Sequence, residues 1–397
     1  MREFCKKIPL EFHISDYKLI FVFLFPICEI LQTKIKQKYL KAYYEFFLIF
    51  VTYLSYLFSL IFLIIINLRT SNHKIGKEKK EISNDNDNID IKTKGIFNSE
   101  VQKTARKKSI KSIIYIIILS GINMCYSHFN FESFIDKRTI GTSYKILLFF
   151  LLSHFILKYD YGKHHYITFG LNTITLIIKY AVSIVESKSQ EYVGKHIWYY
   201  LIYALSFCLL FTIGKYYMDN YYQTPYFIIF FVGIIIGPIL IIIALIKYLA
   251  GYESQIFAGF SDNVNTTKNV FLFLGDIITQ FGMYLGLWIT VYYFTVCHTI
   301  ISENIMEIGY YIIDFQQNET LWEGKKIDLN IHLYPYIHII NLICSLIFNE
   351  IIILRFCGLD YSTNLRIQER EIEDSKKIIK MIEKIDGDSN DISGISS

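Results

Sequence analysis

The sequence has few residues that interrupt helices and lacks the common catalytic motifs. Only five of its 397 residues are proline, and charged residues make up 19% of the chain. Its seven cysteines form no CxxC pair, so neither a disulfide framework nor a zinc site is expected. No HExxH, GxSxG or P-loop pattern occurs, which argues against hydrolases and ATPases. We therefore expect no enzymatic activity, no cofactor and no metal.

Apolar residues dominate what is present. Hydrophobic residues make up 53% of the chain and the mean hydropathy is +0.33, which is too apolar for an ordinary soluble enzyme. Tyr, Phe and Ile are abundant and suit lipid-facing helices and interfacial anchors. The net charge of +4 is too small to imply a nucleic-acid partner. The sequence indicates an integral membrane protein whose surroundings are lipid.

Apolar runs of about 17–25 residues predict transmembrane helices, and we count ten, so the expected fold is an all-α membrane bundle. The predicted spans are Tyr17–Lys34, Glu45–Leu68, Ser112–His128, Ser143–Leu157, Tyr166–Val185, Ile197–Tyr217, Pro225–Tyr248, Val270–Val296, Thr299–Asp314 and Pro335–Phe356. Residues 1–16 are expected to be a cytosolic N-terminus, 69–111 a disordered basic cytosolic loop, and 360–397 a charged cytosolic tail. Spans 1 and 2 occupy 17–68, and spans 3 to 10 occupy 112–359.

The loop charges and two glycosylation sequons predict the orientation. With a cytosolic N-terminus, the inside loops and tails hold most of the Lys and Arg residues, as the positive-inside rule requires. Sequons at Asn265 and Asn318 then fall outside, where glycosylation can occur. The basic stretch Lys34–Lys41 is an exception, because it is also placed outside. The expected location is an endomembrane (Golgi or ER) or the plasma membrane, with both termini cytosolic.

Ten spans divide into two halves of five, and an odd number per half inverts the second half, as in many transporters. KYLKAYYEFFLIF (Lys38–Phe50) leads into span 2, and KYYMDNYYQTPYFIIFF (Lys215–Phe231) leads into span 7. The two segments are faintly similar and hold equivalent positions in such a repeat. The sequence therefore predicts a five-plus-five inverted repeat.

Four segments carry a resemblance to a known family. They are the links ILKYDYGKHHYITFGL (Ile156–Leu171), KYYMDNYYQTPYFIIFFVGI (Lys215–Ile234) and LWITVYYFTVCHTIISENI (Leu287–Ile305), and the end of span 10, FNEIIILRFCGLD (Phe348–Asp360). With ten short spans and cytosolic ends, they resemble the drug/metabolite transporter superfamily, in particular uncharacterised protist and fungal proteins of its nucleotide-sugar transporter-like branch. The resemblance covers roughly 17–360 and implies transport of a metabolite. The 69–111 insertion departs from compact members.

Polar groups inside the apolar spans are the candidate transport-pathway residues, because ionisable groups at membrane depth are costly and tend to mark ion or substrate paths. These candidates are Glu29, Asn123, His154, Lys179, Asp276, Gln280, His298, Glu303 and Glu307.

Two pairs among these candidates are four residues apart and so share a helix face: Asp276 with Gln280, and Glu303 with Glu307. Neighbouring buried carboxylates disfavour joint ionisation, so one of the second pair could carry a proton near neutral pH. The alternatives are that Asp276 snorkels or caps at a helix end, and that Thr299–Asp314 is an interfacial amphipathic helix. His298 is either a titrating group or a helix-end hydrogen-bonding group.

The sequence thus predicts a secondary transporter of a small polar solute, with nucleotide sugars as one candidate class, and a cavity lined by spans 1, 3, 4, 6, 8 and 9. A homodimer is one possible assembly. The alternative is a non-transporting membrane scaffold or sensor that docks partners through the 69–111 loop and the tail. The pair His164-His165 could suggest a metal site, but an ordinary cytosolic turn is the expected reading.

Overall fold

The computed structural model describes residues 10–12, 20–66, 68, 110–129, 141–187, 190–318, 329–354, 363, 372 and 375–376. The predicted loop 69–111 lies outside the described residues except for its last two positions, and so does most of the 360–397 tail. The docking segments of the scaffold alternative therefore fall outside the described part of the chain.

The described fold is helical, with one small pair of strands. The helices are α1 (Ile20–Tyr39), α2 (Glu45–Tyr56, continued past a turn to Ile66), α3 (Ile110–Phe129), α4 (Gly141–Leu157), α5 (Lys163–Ser187), α6 (Gln190–Tyr221), α7 (Pro225–Leu249), α8 (Gln255–Asn263), α9 (Thr267–Tyr293), α10 (His298–Asn318) and α11 (Leu329–Phe348). Each predicted span overlaps one of these helices, and the short α8 was not predicted.

Five helices are long and apolar enough to cross a membrane: Glu45–Ile66, Ile110–Phe129, Trp198–Tyr221, Pro225–Leu249 and Thr267–Tyr293. Helix α7 also exposes a run of large apolar side chains, including Ile239, Ile242 and Ile246. Contiguous exposed apolar surface of this kind is rare on soluble monomers. The helices and this surface support a membrane-embedded protein.

Helix α1 is longer than predicted. The expected span ends at Lys34, but the helix continues to Tyr39. The supposed basic loop Lys34–Lys41 is therefore mostly the last turns of α1, which corrects the sequence prediction. The turn that follows is held by α8, because Asn263 Oδ1 accepts the backbone N–H groups of Lys41 (2.7 Å) and Ala42 (3.0 Å).

The last helix ends earlier than predicted. The predicted span ends at Phe356, but α11 ends at Phe348 because Glu350 adopts a left-handed conformation with φ of 57°. The N–H of Ile351 bonds to the Leu346 carbonyl (2.9 Å) and the N–H of Glu350 bonds to the Ile347 carbonyl (3.1 Å), which is a Schellman cap. The chain then forms β2 (Ile352–Leu354), which pairs antiparallel with β1 (Leu10–Phe12).

Glycines let α1 approach α9 closely. A Cβ at Gly282 would lie 2.7 Å from Cys28 Sγ, and one at Gly286 would lie 2.8 Å from the Phe25 backbone nitrogen. Two small residues four apart on α9, Gly282 and Gly286, thus permit close contact with α1. Helix α7 also has two glycines four residues apart, Gly233 and Gly237, but only Gly233 lies at a close helix contact. A Cβ at Gly233 would lie 2.8 Å from Tyr56 Cβ, whereas one at Gly237 would have no atom within 4 Å.

Candidate functional site

A cavity of about 370 Å³, lined by apolar and ionisable side chains, lies inside the bundle. Its lining residues come from α1, the turn after it, α2, α3, α4, α6, α9 and α10: Phe25, Glu29, Gln32, Thr33, Lys36, Gln37, Tyr43, Leu48, Ile49, Thr52, Tyr126, Ser127, Lys145, Tyr200, Tyr203, Gln280, Met283, Tyr284, Glu303, Met306, Glu307 and Tyr310. All six predicted spans contribute to the lining, and α2 is an addition. The volume suits a small molecule.

The cavity reaches the middle of the bundle and has its mouth at one end. Glu29 lies midway along α1 and Gln280 midway along α9. The mouth includes Gln37 and Tyr43, which are exposed and lie where α1 turns into α2. Beside it, the Tyr44 hydroxyl donates to Asp262 (2.8 Å), and this hydrogen bond raises the pKa of Tyr44. The phenol therefore stays neutral in the physiological pH range.

A buried ion pair joins α4 to α10 at the cavity wall. Lys145 Nζ donates to Glu303 Oε1 (2.6 Å) and to the Tyr203 hydroxyl (3.1 Å), and it lies 3.9 Å from the centre of the Phe207 ring. Both charged side chains are buried. Glu303 Oε2 has no hydrogen-bond partner among the described residues. An unbonded buried carboxylate oxygen is costly, and in this cavity it can accept a hydrogen bond from a solute.

A second polar group links α1 to α9. Asp276 is fully buried and accepts hydrogen bonds from Tyr39 (2.5 Å) and Gln32 (2.9 Å), with Lys36 Nζ at 3.9 Å. Lys36 also donates to Gln280 Oε1 (3.4 Å). Asp276 therefore neither snorkels nor caps. It lies behind the lining and anchors the side chains that line it.

Carboxylates from α1 and α10 complete the lining. The Tyr310 hydroxyl lies 2.6 Å from Thr33 Oγ1 and 3.4 Å from Glu29 Oε1. Glu303 and Glu307 are both buried, so their carboxylates face the interior of the bundle and not solvent. The side chain of Asp314 lies outside those described.

Several predicted residues lie away from the cavity. Asn123 is buried and donates to the Tyr56 hydroxyl (3.2 Å). His154 is exposed, with Nδ1 3.0 Å from the carbonyl oxygen of Tyr159, which lies just beyond the end of α4. His298 accepts the Thr295 N–H at Nδ1 (3.3 Å) and stacks on Phe294, which matches the helix-end alternative. None of these three side chains lines the described cavity.

Lys179 lies in the layer behind the cavity. It is fully buried in α5 and interacts electrostatically with Glu307, which does line the cavity. Lys179 does not line the cavity itself, and it acts on the lining through its interaction with the Glu307 carboxylate. Of the predicted residues, the structure brings Glu29, Gln280, Glu303 and Glu307 together in the lining.

Sequence reasoning missed important members of the site. The sequence pattern places Lys36 in a loop and does not single out Lys145, Tyr203 or Tyr310. The signal for Lys145 was available, because it is a lone cation near the start of an apolar span. Tyrosines give no such signal in a chain that contains 32 of them.

Asn265 is exposed in the turn between α8 and α9, whereas the side chain of Asn318 lies outside those described. A scan of the chain against protein-family models and a search of curated proteins both find no match.

Proposed function

We propose that this protein is a secondary transporter that carries a small polar solute through the cavity by alternating access. The observation that carries the proposal is a cavity at mid-bundle lined by three carboxylates (Glu29, Glu303 and Glu307) and two lysines (Lys36 and Lys145). Ionisable groups are expensive within a membrane bundle and are usually functional. Transporters commonly bind their substrates near the membrane midplane.

Helix contacts support the five-plus-five inverted repeat that alternating access commonly uses. If α8 is left aside, the repeat relates α1 to α6, α2 to α7, α3 to α9, α4 to α10, and α5 to α11. The two-fold axis of such a repeat exchanges the two halves of the protein. A helix that lies beside this axis should therefore contact its own equivalent in the other half. Three such contacts occur: Tyr56 with Gly233, Lys145 with Glu303, and Thr175 with Asn341.

Two further contacts also occur in equivalent pairs. Helix α1 meets α10 through Thr33 and Tyr310, and its equivalent α6 meets α4 through Tyr203 and Lys145. Helix α1 meets α9 through Gln32 and Asp276. The equivalent contact of α6 with α3 is the stacking of Tyr203 on Tyr126 (5.4 Å). This pairing supports a ten-span fold with the cavity between its two halves.

The small sheet supports an even number of crossings. Strand β1 precedes α1, β2 follows α11, and the two strands pair. The start of α1 and the end of α11 therefore lie on the same side of the bundle. Together with the positive-inside rule, this supports cytosolic termini in a multi-pass protein. Asn265, at the opposite end of the bundle, is then on the side where glycosylation occurs. An endomembrane or the plasma membrane fits this orientation.

The charges of the lining favour a cationic or zwitterionic solute. Three carboxylates outnumber two lysines, and Lys145 is already paired with Glu303. A nucleotide sugar carries a diphosphate, which these carboxylates would repel. A solute with an ammonium group can donate to Glu29 and to the unbonded oxygen of Glu303. We therefore favour an amine-bearing metabolite over a nucleotide sugar within the same transport hypothesis.

Uptake by reconstituted proteoliposomes tests the proposal. A panel of amino acids, amines and nucleotide sugars should identify a solute whose uptake saturates and falls at least about tenfold in Glu29→Gln and Glu303→Gln. Asp219→Asn is the matched control, because Asp219 is an exposed carboxylate outside the cavity. The absence of uptake across the whole panel by folded protein would reject transport. Equal uptake by all variants would reject this cavity as the path.

A further inference from the structure

Three potential metal ligands meet at the end of the bundle opposite the cavity mouth. His164 and His165 begin α5, and Glu350 follows the end of α11. One ligand atom from each side chain lies within 4.8 Å of the others. The sequence predicts an ordinary cytosolic turn at these histidines, but His164 is buried, with only 3% of its surface exposed. A buried imidazole in a cluster with a carboxylate needs a physical explanation.

The contact between His164 and Glu350 is unusual for a hydrogen bond. His164 Nε2 lies 3.4 Å from Glu350 Oε1, whereas N–H···O bonds measure about 2.7–3.2 Å. Neither ring nitrogen of His164 has a hydrogen-bond partner within the described part of the chain. Two ligand atoms bound tetrahedrally to zinc at about 2.0–2.1 Å lie roughly 3.4 Å apart. The observed separation of these two atoms is therefore compatible with a shared metal ion.

The backbone holds Glu350 in place. Its φ of 57° is the left-handed conformation that a helix end usually gives to glycine, and a residue with a Cβ adopts it at a cost. Such strain often accompanies a functional constraint. Here it directs a carboxylate from the end of α11 toward the first turn of α5.

His165 is a weaker third ligand. Its Nδ1 accepts the Gly162 N–H (3.0 Å), and its ring packs against Phe348 and Tyr161. A metal ion bound through Nδ1 would replace this hydrogen bond, so His165 would contribute less net free energy to metal binding. His164 and Glu350 are therefore the principal ligands.

We propose that His164, His165 and Glu350 bind a divalent transition-metal ion of the zinc type, which links the start of α5 to the turn after α11. Two imidazoles and one carboxylate are a common ligand set for zinc and leave a fourth position for water. The ion would fasten the end of the bundle that lies opposite the cavity mouth. The proposal does not depend on transport, because the binding is measured without any solute.

Titration of the full chain in detergent with Zn²⁺, after treatment with a chelator, tests the site. Calorimetry should show about one ion bound per chain, and Zn²⁺ should raise the Tm of the wild-type protein because it binds only the folded state. His164→Ala and Glu350→Gln should each weaken binding by more than about tenfold, and His165→Gln should weaken it less. His154→Ala is the matched control, because His154 is an exposed histidine outside the cluster.

Three results would overturn the proposal: no stoichiometric Zn²⁺ on the wild-type chain, unchanged binding by Glu350→Gln, or an equal loss in His154→Ala. If His164→Ala does not fold, Glu350→Gln, which keeps the side-chain size, still decides the assignment. The Zn²⁺-dependent Tm of the wild-type chain needs no variant.

Discussion

The ion pair between Lys145 and Glu303 is sensitive to the loss of either partner. Both side chains are buried, so neither charge can rely on water. Burying two charges costs free energy that their attraction only offsets while both are present. The removal of one partner therefore affects stability more than the removal of both.

We predict that Lys145→Met lowers the free energy of unfolding by about 3–5 kcal/mol, because it leaves Glu303 as an uncompensated buried charge. The double variant Lys145→Met/Glu303→Leu should recover most of this loss. Denaturation of the detergent-solubilised protein measures both effects. If the double variant is as unstable as the single one, the pair is not a coupled unit and this prediction is wrong.

The hydroxyl of Tyr39 is a second sensitive group. It donates to the fully buried Asp276, and hydrogen bonds to charged groups contribute about 1.5–3 kcal/mol. We predict that Tyr39→Phe destabilises the protein by about this amount. Tyr252→Phe serves as the control because Tyr252 is 71% exposed, and it should leave the free energy of unfolding unchanged. Equal effects in the two variants would contradict the role of Asp276 as an anchor.

At the level of helices, the contact between α1 and α9 positions the site. It places Glu29 and Gln280 in the lining of the same cavity, and it depends on glycines that let the two backbones approach. The same four-residue spacing of glycines in α7 has a different consequence, because a Cβ at Gly237 would meet nothing within 4 Å. The spacing alone therefore does not identify which glycine is required.

We predict that Gly286→Ala destabilises the protein by about 1–3 kcal/mol, because the added Cβ must push α1 away from α9. Gly237→Ala should be neutral or stabilising by up to about 1 kcal/mol, since alanine favours helix and the space is open. Thermal unfolding of the two variants gives the comparison. A Gly286→Ala protein as stable as the wild type would show that α1 can move without cost.

At the level of the bundle, the proposed orientation assigns opposite sides to two exposed turns. Asn265 lies between α8 and α9, and Asp160 lies between α4 and α5. We predict that Asn265→Cys reacts with a membrane-impermeant maleimide supplied on the non-cytosolic side of the membrane. This side is the exterior of intact cells or the lumen of an organelle. Asp160→Cys should react only from the cytosolic side. Labelling is measured as the increase over the parent chain, and reaction of both positions from one side would reject the orientation.

Much of the helical content follows from the amino-acid order alone. Long apolar runs in a membrane must pair their backbone groups internally, and a helix does this within one segment. The positions of the helices, and Glu29, Gln280, Glu303 and Glu307 as candidate cavity residues, could therefore be predicted from hydropathy and rare polar groups. The ends of α1 and α11 could not, because contacts with α8 and the left-handed Glu350 decide them.

The partner of each buried polar group is determined by the tertiary structure and not by the local sequence. Glu303 meets Lys145 across 158 positions of sequence, and Asp276 meets Tyr39 across 237. No local spacing contains that information, because which faces of two helices meet depends on how all the helices pack. The same reason explains why His154 and His298, which have the right chemistry, lie outside the cavity. Hydropathy accounts for the presence of charges within the helices, and packing determines which of them share one site.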